Sequence, residues 1–378
     1  MAVVPAASAR QADAAYADRL ARAAREAAAR SIDALLITPS ADYAYLLGYR
    51  PPALERLTCL IVPASGEPVL VLPKLEEPLA RHEIGDLTER LEVVAWSESD
   101  EPFRLVASRL TGALRVGIQD QMWARFVLRF GALLDPAELV EAGPAMARLR
   151  QIKDADEVNR LRSAAAAADE AMLAITGEPL SGRSEAQVSA RIRELLVAAG
   201  HETADFAIVA SGPNAASPHH GAGERVIANG DAVVLDIGGT RAGYCSDTTR
   251  TAFVGEPPAD FAALYEVLRL AQAAACSAVA PGLEAREIDR AARRVIEEAG
   301  YGDRFMHRTG HGIGMETHEE PYIVESNAEP LLPGQAFSIE PGIYIPGEWG
   351  ARIEDIVVCT EDGGERLNAT STELALVD

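Results

Sequence analysis

Four carboxylates and one imidazole, Asp236, Asp247, His311, Glu340 and Glu354, stand in a pattern that could hold metal ions. Asp236 and Asp247 occupy the two arms of AVVLDIGGTRAGYCSDTTRTAFV, read as a β-hairpin joined across residues 238–243. Glu340 and Glu354 occupy the two arms of AFSIEPGIYIPGEWGARIEDIVV. An acid inside a strand rich in Val and Ile is costly to bury unless it is paired or bound to a cation. Each one alone also reads as a turn cap, or as an ion-pair partner of Arg352 or Arg250. Four in matching places predict one shared site. Between the hairpins lies HRTGHGIG, residues 307–314, where glycines let the backbone approach a site and His311 can offer a neutral nitrogen ligand.

Four carboxylates with one imidazole are mostly hard oxygen donors, which suit Mn²⁺, Co²⁺ or Mg²⁺. Their four negative charges balance two divalent ions. Two ions roughly 3.5–4 Å apart can hold a bridging hydroxide as nucleophile and stabilise a tetrahedral intermediate. That is the chemistry of a hydrolase.

The elements that position these residues repeat at a spacing near one hundred. Gly182 precedes an amphipathic helix with Val188, Ile192, Leu195, Leu196 and Ala199 on one face, closed by Gly200. Ser184 and Gln187 form a capping-box pattern at its start. Gly282 precedes a second such helix, with Ile288, Ala292, Val295, Ile296 and Ala299, closed by Gly300. A further helix is predicted before each, over 156–175 and 260–279, and a hairpin after each. Upstream, the apolar runs ALLI (34–37), CLIV (59–62) and VLVL (69–72) alternate with turn signals and helical stretches, which predicts a smaller α/β domain. The charged segment MARLRQIKDADE, from Met146, marks the boundary. The expected domains are residues 1–147 and 148–378, α+β overall.

Size and charge set limits on partners. The 378 residues, 48% hydrophobic, can fill two cores. With 35 basic and 57 acidic residues the formal charge is −22, which disfavours nucleic acid and anionic membrane surfaces as partners. Cys59, Cys245, Cys276 and Cys359 are scattered and form no CxxC, as expected of reduced thiols. Charged residues interrupt the alanine-rich N-terminal 30 residues, so no signal peptide is expected there. No stretch reaches the roughly 20 apolar residues of a membrane span. A cytoplasmic protein is expected.

LDIGG, SDTTRT, GHGIG, THEEPYI, SIEPGIY and ARIEDIV, in this order, closely resemble the pita-bread metallopeptidases, which include Xaa-Pro dipeptidase (prolidase), aminopeptidase P and methionine aminopeptidase. The likeness runs from about residue 148 to the end, and the preceding part looks like the accessory domain of the proline-directed members. The resemblance implies a pita-bread catalytic domain with an internal pseudo-two-fold repeat. It implies that Asp236 and Asp247 hold one metal and His311 and Glu340 the other, with Asp247 and Glu354 bridging. Mn²⁺ is the leading expectation, with Co²⁺ or Zn²⁺ as alternatives. Glu340 takes the role of general base, although Glu354 is also suited to proton transfer.

His219, His307 and His318 fall at spacings like those of the family's substrate-binding and intermediate-stabilising histidines. His220, His201 and His82 read equally well as structural. Arg352, two residues before Glu354, would share its strand face and orient a metal-bound carboxylate or meet a substrate carboxylate, unless it pairs with Asp355. Cys245 reads first as a small core filler. The implied activity is hydrolysis of an Xaa-Pro bond at a free N-terminus, by a homodimer acting on small peptides. Dipeptides lead, longer peptides are the alternative, and a non-catalytic peptide-binding module is the reading from another class.

Overall fold

The computed structural model describes residues 6–378; residues 1–5, and with them the start of the segment for which no signal peptide is expected, lie outside the described residues. Contacts divide the chain into two units, one ending at Arg150 and the other spanning Gln151–Asp378. Among the described residues, no helix is long and apolar enough to cross a membrane.

The first unit holds helices α1 (Ala6–Ala29), α2 (Ala41–Leu47), α3 (Glu77–Ile84), α4 (Pro102–Ser108), α5 (Ala124–Leu134) and α6 (Gly143–Arg150). Its sheet contains β1 (Ala34–Ile37), β2 (Cys59–Pro63), β3 (Val69–Pro73), β4 (Glu92–Trp96), β5 (Arg115–Ile118) and β6 (Glu138–Glu141), in the order β4-β3-β2-β1-β5-β6. The three apolar runs are β1, β2 and β3. All of β1 is buried, as a continuous apolar run at mid-sheet should be. It is antiparallel to β2 and parallel to β5.

The second unit is built twice over. Helix α7 (Ala155–Thr176) precedes α8 (Glu185–Ala198), and α9 (Ala259–Ala278) precedes α10 (Ala285–Glu298). The capping box of Ser184 and Gln187 opens α8. Gly200 and Gly300 follow α8 and α10 with left-handed φ of 100° and 87°, closing both helices as their sequences predict. Matching backbone bonds confirm the repeat: Gly182 N donates to Ile227 O at 2.9 Å and Gly282 N to Leu331 O at 2.8 Å.

The first half contributes β7 (Thr203–Ser211), β8 (Ala232–Arg241), β9 (Tyr244–Cys245) and β10 (Thr248–Val254). The second contributes β11 (Gly310–Gly312), β12 (Glu319–Ile323), β13 (Ala336–Ile339), β14 (Gly342–Ile345), β15 (Trp349–Arg352), β16 (Asp355–Thr360), β17 (Gly363–Arg366) and the terminal β18 (Ala375–Val377). One sheet runs β18-β10-β8-β7, the other β12-β11-β13-β16-β17, and β14 and β15 pair by themselves. Gly230 N bonds Val254 O and Gly334 N bonds Cys359 O, so Asp236 within β8 and Glu340 just after β13, each six residues further on (236 − 230 and 340 − 334), occupy equivalent places in the two halves. This is the pita-bread architecture with its pseudo-two-fold repeat. Val188, Ile192 and Leu196 of α8 and Ile288, Ala292 and Ile296 of α10 are buried against their own sheets. Each fully buried Val, Ile or Leu among them contributes about 1.5–3 kcal/mol.

Both hairpins differ from the sequence expectation. Residues 238–241 belong to β8, and the turn is only Ala242-Gly243, with φ of 51° and 76°. The glycines serve close packing instead of a turn: a Cβ on Gly238 would collide with the Phe206 ring and Ser246 O. The second hairpin is split as well. β13 pairs with β16, and the β14–β15 ribbon is inserted between them.

Candidate metal centre

Strand breaks hold three of the four acids, and the fourth sits within a strand. Asp236 lies in mid-β8, opposite Thr249 of β10 and Ile208 of β7. Asp247 occupies the gap between β9 and β10, Glu340 follows β13, and Glu354 fills the gap between β15 and β16. His311 is the central residue of β11, flanked by Gly310, whose missing Cβ leaves room for Ser338 O of β13. Ladder pairing is interrupted at three of these five positions, which frees carboxylates to converge without stripping a sheet of its bonds.

The five side chains meet. Ligand-type atoms of Asp236, Asp247 and Glu354 lie within 4.8 Å of one another, and so do those of His311, Glu340 and Glu354 and those of Asp247, His311 and His318. His311 Nε2 is 3.2 Å from Glu340 Oε1 and 3.6 Å from Asp247 Oδ2. Its Nδ1 donates to Gly312 O at 3.1 Å, which aims Nε2 at the acids, the orientation of a metal-ligating histidine.

Electrostatics show what this cluster lacks. Burial, then the neighbouring charges of Glu354, Asp236 and Glu340, pushes the Asp247 carboxyl well above its ordinary range. Glu354 is driven well upward by burial and then by Glu340 and Asp236, and Asp236 is raised for similar reasons. Burial also presses Glu340 upward, but the hydrogen bond and charge of His311, with His307 and Arg352, outweigh it and hold this carboxyl at about 2. Asp236 Oδ1 and Glu354 Oε1 are buried oxygens without a hydrogen-bond partner. Buried acceptors left bare cost about 1–3 kcal/mol each, more when charged. Crowded acids, orphaned oxygens and an imidazole nitrogen turned toward them fit a divalent cation.

A second layer of bonds locks the first. Arg352 Nη2 donates to Asp236 Oδ2 at 2.6 Å, Nη1 to Tyr344 Oη at 3.0 Å and Nε to Thr249 Oγ1 at 3.2 Å. Thr249 Oγ1 donates to Glu354 Oε2 at 2.7 Å, so Arg352 and Glu354 converge through Thr249 even though a strand break separates them. Tyr344 Oη also bonds His307 Nε2 at 2.9 Å, while His307 Nδ1 bonds Arg308 O at 2.7 Å. A carbonyl only accepts, so Nδ1 carries the proton and Nε2 accepts from the tyrosine. Burial lowers the pKa of His307, in keeping with a neutral ring.

A cavity of about 640 Å³ contains all of these expected residues together: Asp236, Asp247, His311, Glu340, Glu354, His219, His307, His318 and Arg352 line it. The His318 ring packs at a tilt against that of His311, with centroids 4.0 Å apart, and burial followed by the His311 charge lowers its pKa to about 4. Asp355, the alternative partner of Arg352, is instead taken by Arg250 at 2.6 Å. His201 bonds Leu196 O and Ser246, and His220 bonds Glu185, so both have structural partners. Cys245 is a buried core residue beside Leu161 and Ile313.

Sequence reasoning missed Tyr344, Thr249 and Glu185. Fully buried Glu185 accepts from Ser211 N and Oγ at 2.8 and 2.7 Å, from Asn214 at 3.0 Å, from Gly223 N at 3.2 Å and bonds His220 at 2.8 Å. It thereby anchors the loop that carries His219. A tyrosine within an apolar strand and an acid opening a helix were the available signals, and each has an ordinary explanation by itself.

Comparison with known proteins agrees with this geometry. The profile of metallopeptidase family M24 matches residues 159–361, and that of the creatinase/prolidase N-terminal domain matches 19–152. Probable dipeptidase PepE of Mycobacterium tuberculosis is 47% identical over 368 residues, 96% of this chain and 96% of that protein. An Xaa-Pro dipeptidase of Pyrococcus furiosus is 36% identical, covering 91% of this chain and 95% of that protein. The crystal structure of dipeptidase PepE from Mycobacterium ulcerans superposes with a TM-score of 0.92 at 46% identity, covering 97% of this chain and 98% of that one. A creatinase/prolidase-type unit followed by an acid-rich pita-bread unit therefore makes this chain a peptidase enzyme belonging to metallopeptidase family M24.

Proposed function

We propose that the protein hydrolyses the Xaa-Pro bond of dipeptides with a free N-terminus, using two divalent metal ions. The observation that carries this reading is the pair of ligand triads, Asp236/Asp247/Glu354 and His311/Glu340/Glu354, which share only Glu354. Two adjacent triads with one common carboxylate suit two ions better than one. The oxygen-rich donor set favours Mn²⁺ as the first metal to test. Proline direction is supported by the likeness to the Pyrococcus furiosus Xaa-Pro dipeptidase. The cavity lies within the roughly 300–1,000 Å³ typical of small-molecule sites.

When bound, two such ions supply Lewis acidity and an activated water at neutral pH. The residues of the chain do the rest. Glu340, ionised at neutral pH and accepting from Ser338 Oγ at 3.2 Å, takes the proton of the attacking water. It returns that proton to the proline nitrogen as the C–N bond breaks. Proline has no N–H, and its ring fixes the local backbone, so a dedicated site is needed. Phe206 and Ile208 offer apolar wall, while His219 and His318 face the cavity as polar contacts.

Turnover of Ala-Pro and Met-Pro compared with Ala-Pro-Ala, before and after chelation and Mn²⁺ reloading, tests the proposal. Dipeptide cleavage that chelator abolishes and Mn²⁺ restores is expected. Preference for the tripeptide would reassign the chain to an aminopeptidase P activity, and turnover of neither would end the proline-directed reading.

A further inference from the structure

Two arginines face the catalytic cavity, Arg308 and Arg352. They differ in what holds them. Arg352 is buried and has donors committed to Asp236, Tyr344 and Thr249, with a longer bond to Pro218 O at 3.4 Å. Its charge already neutralises Asp236. Arg308 has no carboxylate partner among the described residues. Its guanidinium lies over the Tyr322 ring, 4.4 Å from the centroid, and its carbonyl is tied to His307 Nδ1 at 2.7 Å. The ring steadies the guanidinium, and no hydrogen bond or ion pair among the described residues uses its edge, the part that grips a carboxylate with two parallel bonds.

A dipeptide brings one negative group into such a cavity, its C-terminal carboxylate, a single residue beyond the bond to be cut. The metal-ligating acids would repel it. We propose that Arg308 is the specificity-determining residue that receives this carboxylate and so selects dipeptides over longer chains. One added residue moves the terminal charge by about 3.3–3.6 Å, beyond reach of a guanidinium held on a ring. The inference rests on the proposed peptidase function and assigns its substrate length to one side chain.

The test uses the Mn²⁺-loaded protein and two variants, R308Q, which removes the charge, and R308K, which keeps the charge without the fork. Both are checked by melting curves. Two comparisons are made: kcat/KM for Ala-Pro against Ala-Pro-amide, and calorimetric binding of L-proline against L-prolinamide, which needs no turnover. The wild type is expected to favour the acid in both. R308Q should lose that preference by a factor on the order of 10 to 100, mainly through KM, and R308K should keep part of it. A preference for the acid that survives in R308Q, or its absence in the wild type, overturns the inference. Wild-type protein that binds L-proline through Arg308 but leaves Ala-Pro uncut would keep the inference and overturn the proposed function. If R308Q fails to fold, R308K decides: acid preference undiminished by loss of the fork refutes the assignment.

Discussion

Arg352 and Asp236 share a buried bond of 2.6 Å from Nη2 to Oδ2, while the other oxygen of the same carboxylate, Oδ1, has no partner. One half of the carboxylate is bound by the protein and the other half is presented to the cavity. Replacing Arg352 by Met would leave Asp236 buried and unpaired, at a cost of about 3–5 kcal/mol. Urea unfolding of metal-free R352M should show a loss of that order, with Mn²⁺ recovering part of it. A loss below about 1 kcal/mol would mean that the pair contributes no more than a surface bridge.

Tyr344 joins two residues at opposite ends of the motif set. The Y344F variant leaves His307 Nε2 without its donor and removes an acceptor from Arg352. We expect kcat to drop at least tenfold with metal content unchanged, and stability to fall by about 1–3 kcal/mol. Metal analysis beside steady-state kinetics checks this, and unaltered kcat would remove Tyr344 from the mechanism.

Stability of the metal-free protein should depend on pH in an unusual direction. Asp236, Asp247 and Glu354 have carboxyls raised in the folded state, so the fold holds more protons there than the unfolded chain. Their contribution is full below the unfolded pKa of about 4 and is lost as pH rises through the folded values. Glu340, held at about 2, acts oppositely, and its contribution is lost only as pH falls below its unfolded range toward 2. Chelated wild type should therefore lose melting temperature from pH 4 to 7 relative to D247N. Mn²⁺ at about 100 times its Kd should add about 2.7 kcal/mol, or roughly 5–10 °C. Parallel melting curves for the two proteins would contradict the charge-crowding account.

Glu185 organises the 211–223 loop from beneath. Its pKa is lowered: burial raises it, and bonds from Asn214, Ser211 and His220 more than compensate. That contribution is present above the unfolded pKa of about 4.3 and fades as pH falls through the lower folded value. E185Q should lower kcat/KM about tenfold through misplacement of His219, without changing metal content. It should also flatten the stability loss between pH 5 and 3. Rescue by E185D would exclude general damage to α8.

Much of this was legible in the sequence because the chemistry and the periodicity agree. The capping box at Ser184, the glycines after α8 and α10, and the four acids at equivalent points were readable one residue at a time. Glycines 238 and 239 misled, since glycine marks turns and close backbone approaches alike, and only distant neighbours, the Phe206 ring at Gly238 and Thr203 O at Gly239, tell them apart. Tyr344 and Glu185 were opaque for a different reason. Their partners lie 37 residues away at His307 and 26 to 38 residues away at Ser211 to Gly223, and no local pattern encodes such pairings.

The repeat also bears on how the site could be divided. The first half carries Asp236 and Asp247, and the second carries His311, Glu340 and Glu354. The first half alone holds no complete triad of its own, and β18 crosses back from the end of the chain to pair with β10. A cut in the connection at Glu256-Pro257, after β10, would thus yield two fragments linked through a shared sheet. Co-expressed, they would report their own reassembly: only mutual recognition recreates the complete ligand set, making the enzyme a natural candidate for a split, complementation-based reporter.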